Sequence, residues 1–139
     1  IIHNLIKGFE MRTISKINII TILLVSSLFG QSVEINGQKV EVGQDDLVLQ
    51  VKGLVCSFCA HGLQKGMSKL SFVDKKKYTK GVYTDITHQY VKVGLKKNKK
   101  PNIDKALIVI QDAGYEVIKT YLNPSGTELQ IKEYEKSLE

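Results

Sequence analysis

Hydrophobic and polar residues alternate from Val33 to Val42 around Asn36-Gly37. Asn-Gly suits the two positive-φ positions of a type I′ turn, so the pattern predicts a β-hairpin, read as a small appendage on the main domain. Gly43-Gln44-Asp45-Asp46 follows as a linker. In Leu47–Lys52 the positions Leu47, Leu49 and Val51 share one face of a strand, which Gly53 ends. From about Ser57 to Leu70 the period lengthens. Cys59, Leu63, Met67 and Leu70 form one helical stripe, in which Met67 is a core residue. Gly62 and Gly66 lie inside this helix and imply either close packing or a weak helix.

Period two returns at Val82, Thr84 and Ile86 and again at Val91, Val93 and Leu95, with Thr87-His88-Gln89 as the turn between. Pro101-Asn102 opens a second helix whose apolar face is Ile103, Ala106, Leu107, Ile110 and Ala113, and Gly114 fits its C-terminal closure. Glu116–Leu122 is a final strand, and residues 123–139 read as a polar C-terminal tail. The order over residues 47–122 is βαββαβ. It predicts an α+β, ferredoxin-like sandwich, with an antiparallel four-stranded sheet and both helices on one face.

Composition changes the picture at the N-terminus. Residues 11–32 combine a basic start, Met11–Lys16, with an apolar run, Ile17–Phe29, and small residues after it. This is the pattern of a secretory signal peptide, and the run is short of the roughly 20 residues of a membrane span. Export to a compartment such as the periplasm is expected, with a mature chain starting near Val33 and not inserted in the membrane. Residues 1–10 are read as lying outside the natural product. Val33–Glu139 carries 17 basic residues against 13 acidic, a net of +4. Lysines cluster at 75–77 and at 96–100, as solvated loops or as a docking surface for an acidic partner. No arginine follows Arg12, which argues against nucleic-acid recognition.

The two cysteines of the chain, Cys56 and Cys59, sit where the first strand hands over to the first helix. A disulfide between them would close a tiny loop and remove little chain entropy, so stapling is a poor explanation for the pair. Helix N-termini favour thiolates, and two thiolates at this spacing can converge on one soft ion such as Cu(I) or Hg(II). Structural zinc wants four ligands, and there is no second CxxC or His pair, so Zn(II) is less well served. The same CxxC could instead serve a thiol–disulfide oxidoreductase. That reading wants a proline facing the cysteines, and neither Pro101 nor Pro124 occupies a fitting place.

Gly53-Leu54-Val55-Cys56-Ser57-Phe58-Cys59 resembles the Gly-Met-x-Cys-x-x-Cys motif of heavy-metal-associated domains, and Ala113-Gly114-Tyr115 resembles that family's Ala-Gly-Tyr segment. The family includes copper chaperones, modules of copper-transporting ATPases and the periplasmic mercury-binding protein. The resemblance spans Leu47–Leu122, with Leu54 in place of the usual Met and a long connection through Lys75–Gly81. It implies Cys56 and Cys59 as the metal ligands and Tyr115 in the loop beside them. It also implies a monomeric carrier without catalytic turnover, one Cu(I) or Hg(II) per chain, and a metal-transporting or metal-accepting protein as partner. Tyr115 reads otherwise as a packing residue, and His61, about 200° around the helix from Cys59, as a polar residue in contact with solvent rather than a ligand. His88 lies in the turn expected at the cysteine end, as a solvated residue or a third ligand.

Overall fold

The computed structural model describes residues 31–134. The expectations for residues 1–10 and for residues 11–30 lie outside it. Gln31 and Ser32, read above as the end of the signal segment, belong to the first strand. Strands β1 (Gln31–Ile35) and β2 (Gln38–Val42) form an antiparallel pair. Asn36 (φ 48°) and Gly37 (φ 84°) make the turn between them. Ile35, Val40 and Val42 are buried while Lys39 and Glu41 are exposed, so one face of the hairpin is packed.

The main sheet is built around β3 (Asp46–Lys52), which lies antiparallel between β5 (Tyr90–Gly94) and β6 (Glu116–Leu122). Strand β4 (Val82–Asp85) pairs with β5, and β7 (Gln130–Glu133) pairs with β6. The order β4-β5-β3-β6 is ferredoxin-like, and β7 adds a fifth strand where four were expected. The polar tail therefore holds a strand. Its four side chains are all exposed, so no hydrophobic period marks it. It forms because its backbone satisfies the N–H and C=O groups that an open β6 edge would leave unpaired.

Leu47, Leu49 and Val51 face helices α1 (Ser57–Ser68) and α2 (Ile103–Asp112) in one core. Val48 points the other way. With Tyr90 and Tyr121 it meets Ile35, Val40 and Val42 of the hairpin in a second core. The hairpin is thus no appendage. Both sheet faces carry apolar side chains, and each needs a covering layer. Asn123 ties the layers together by donating to the Val42 carbonyl at 2.9 Å.

Three helix details differ from the expected pattern. The buried stripe of α1 is Ala60, Leu63 and Met67, and Cys59 lies one position off it, exposed. Pro101 precedes α2, and the Asn102 side chain caps it by accepting from the Lys105 N–H at 3.2 Å. Ala113 is an exposed C-cap outside the apolar face. The glycines of α1 also separate. A Cβ on Gly66 would stand 3.1 Å from Val109 Cγ1, so the two helices approach closely there. A Cβ on Gly62 would meet nothing within 4 Å. Gly62→Ala is expected to raise unfolding stability by about 1 kcal/mol in urea denaturation. A loss of stability would show that the helix needs the glycine's freedom.

Candidate functional site

The cysteine loop begins where β3 stops. Gly53 turns the chain at φ +94°, a conformation that L side chains resist, and the Tyr115 ring lies 3.7 Å from where its Cβ would be. Leu54 then plunges into the core with no exposed surface. Val55 and Phe58 stay outside, 77% and 85% exposed, on either side of Cys56. Cys56 is the N-cap of α1 (φ −123°, ψ 126°), and Cys59 lies in the first turn. Both thiols are free and exposed.

Their electrostatics differ. The Cys59 N–H, the Cys59 thiol and the Phe58 N–H are directed at the Cys56 sulfur and hold its pKa below the ordinary cysteine value. The sulfur does not close a cap hydrogen bond of standard geometry. It collects the unpaired donors and positive end of the helix instead. Cys59 is pushed the other way, first by its hydrogen bond to Cys56, then by desolvation and by the Cys56 charge. One thiolate therefore forms first, at Cys56. Burial raises the Tyr115 pKa, with the Cys59 charge and a hydrogen bond to Cys59 adding to it. Its hydroxyl stands beside the second sulfur as a donor.

The sequence does not point to Gln89, which organises this loop. Its Oε1 accepts from the Gly53 N–H at 3.0 Å and the Leu54 N–H at 2.9 Å. Its Nε2 donates to the Leu54 carbonyl at 2.5 Å and the Ile86 carbonyl at 3.0 Å. Its own carbonyl accepts from the Val51 N–H at 2.9 Å. Gln89 sits at φ +58°, which aims the amide across the turn at the loop. The one legible signal was a glutamine in a tight turn destined for the same end of the sheet as the CxxC. Gln89→Ala strands two N–H groups and is expected to cost about 2 kcal/mol. It should also slow Cys56 alkylation at neutral pH, because the segment that carries Cys56 to the helix end is no longer held. Unchanged alkylation would show that the loop holds itself.

Neither His61 nor His88 joins the thiols. His88 Nδ1 lies 3.0 Å from Asp85 Oδ2, and the His88 carbonyl accepts from Asn36 of the hairpin turn at 2.9 Å. The Asp85 carboxyl lies below its ordinary range; desolvation opposes this, and the hydrogen bonds from His88 outweigh it. His61 is exposed on α1. Among the described residues no three His, Cys, Asp or Glu side chains converge on a metal position. The donor set that the described residues present is two sulfurs, exposed to solvent, which fits a low-coordinate soft ion. The lysine clusters lie elsewhere. Asp74 N–H donates to Gly94 C=O and Lys96 N–H to Phe72 C=O, so both clusters flank the ends of β5 and β3 remote from the cysteines. Pro101 and Pro124 border a groove at that same remote end.

No protein-family model and no curated protein matches the chain. Among solved structures it is similar to the CopZ metallochaperone, at 19% identity and TM-score 0.45, over 52% of this chain and 98% of that one. It is similar to a putative copper-ion-binding protein from Bacillus anthracis str. Ames, at 25% identity and TM-score 0.43, over 52% and 92%. It is also similar to oxidized MerP from Ralstonia metallidurans CH34, at 26% identity and TM-score 0.42, over 52% and 90%.

Proposed function

We propose that this chain is an exported carrier that takes one soft ion, Cu(I) or Hg(II), between Cys56 and Cys59 and passes it to a metal-transporting or metal-accepting protein. The observation that carries the reading is the pair of exposed thiols on one helical turn, with the N-terminal N–H groups of α1 drawn to the first sulfur. Soft ions prefer thiolates, and two suffice for Cu(I) or Hg(II). Among the described residues nothing covers the solvent side of the pair, so an acceptor's thiolate can enter as a third ligand before either cysteine leaves. Phe58 and Val55, exposed beside the sulfurs, offer that acceptor an apolar contact. The protein acts as a monomer and without catalytic turnover. The motif's resemblance to heavy-metal-associated domains supports the same reading.

The test is transfer. Cu(I)-loaded protein is mixed with a soft-metal acceptor of distinct spectrum, and the metal is followed in time. Transfer should outrun unassisted release into buffer and should accelerate with acceptor concentration. A rate equal to that release at every acceptor concentration would make the site a store. The metal-free, reduced protein should already be folded, because both cores are built from side chains that do not depend on the ion. Circular dichroism that turns native only on adding metal would overturn this.

A further inference from the structure

Two helices about 10 Å wide span about four strands at a spacing of about 4.8 Å, so a fifth strand overhangs. Beside that overhang, between β6–β7 and the segment leading into α2, the chain leaves a groove of about 850 Å³. It lies at the end of the sheet away from the cysteines. Leu95, Ile103 and Leu122 supply apolar walls. The Thr120 hydroxyl lies 3.5 Å from that of Tyr134, both at the groove. Among the described residues, Lys96, Lys99, Lys100 and Lys132 line it against one carboxylate, Asp45. Lys99 Nζ donates to the Ser71 carbonyl at 3.2 Å, and Lys132 Nζ stands 5.3 Å above the Tyr134 ring. None of these four lysines is ion-paired to a carboxylate among the described residues.

We propose that this groove binds an amphiphilic organic anion, with its apolar chain along the walls and its carboxylate or phosphate head among the lysines. The volume is in the usual range for small-molecule sites, about 300–1,000 Å³. Apolar walls give an inorganic anion no advantage, and a lining with four lysines, of which Lys99 is already held by the Ser71 carbonyl, against one carboxylate among the described residues disfavours a neutral or cationic chain. Lysines suit a single charged head, since they act as point charges without the planar fork that arginine offers to bases or paired oxygens. The head can belong to a free long-chain carboxylate or to an anionic phospholipid in a membrane.

The experiment is calorimetric titration of the full chain with dodecanoate below its micellar concentration, alongside acetate and dodecyltrimethylammonium. Dodecanoate should bind at one per chain and the other two should not. Lys96→Glu combined with Lys132→Glu, both exposed positions, should weaken it by about tenfold. Amide shifts should fall at Leu95, Thr120 and Leu122 and spare the cysteine loop. Cys56→Ser with Cys59→Ser should leave the titration unchanged, so the outcome is separable from that of the metal proposal. Sedimentation with phosphatidylglycerol vesicles, against phosphatidylcholine, identifies the source. Capture by the former marks a membrane headgroup, and dodecanoate binding without capture marks a free anion. Absence of saturable binding in both arms, equal binding of the cationic amphiphile, or indifference to the two charge reversals would overturn the inference.

Discussion

Replacing Cys56 or Cys59 by serine is expected to lower Cu(I) affinity at least about a hundredfold, without unfolding the protein. A four-ligand thiolate–imidazole site contributes roughly 10–16 kcal/mol, or about 3 per ligand, and about 1.4 kcal/mol is a factor of ten. A two-thiolate site should lose more than that share, because one sulfur cannot hold a linear pair of bonds. A hydroxyl is a hard donor and does not replace it. Both side chains are exposed, so circular dichroism should not change. The double variant should behave like either single one, since the ligands act as a unit. A titration against a Cu(I) indicator decides the matter. One tight equivalent bound by the double serine variant would move the site elsewhere.

The same site sets the sign of the pH dependence. Cys56 sits below the ordinary thiol range and Cys59 above it. Between those two values the metal-free protein keeps one proton, on Cys59, and the ion must displace it. Affinity in that window should rise about tenfold per pH unit, and more steeply below it as the Cys56 proton must leave as well. A flat profile across the neutral range would mean that no proton is displaced and that the thiols are not the ligands.

Much of this arrangement is legible in the sequence because it rests on period. Leu47, Leu49 and Val51 alternate for a buried face, and Leu63 and Met67 recur for a helix, so element order follows from pattern alone. Polar residues that work through backbone geometry are not legible in that way. Gln89 matters because a positive φ turns its amide toward Gly53 and Leu54, residues more than thirty positions away. Strand β7 is invisible because exposed side chains carry no period while its backbone still finds a partner. Cys59 was drawn into the apolar stripe because it shares spacing with Leu63, although Ala60 takes the buried place. The second core was hidden for a related reason. Val48, Tyr90 and Tyr121 lie on three separate strands, and their common need for cover appears only when those strands are neighbours.

Leu54→Ala is expected to remove about 3 kcal/mol of unfolding stability, the usual range for such a truncation being about 2–5. Leu54 is fully buried in the larger core, directly before the cysteines. Its N–H and carbonyl are both held by Gln89, so the backbone cannot sink to fill the space. The cavity therefore persists, and the cost combines lost transfer energy with lost contacts. Against a typical total of about 5–15 kcal/mol the loss is large. Leu54→Met keeps the volume and should cost less than about 1.5 kcal/mol. Cu(I) affinity should fall much less than stability in both variants, because neither sulfur nor the start of α1 is touched. Urea unfolding of the metal-free, reduced protein, with Cu(I) titration beside it, separates the two effects. A loss under about 1 kcal/mol for alanine would show that the loop relaxes into the space and is not clamped. A Cu(I) affinity that fell in step with stability would show that Leu54 packing, and not Gln89, holds the thiols in place.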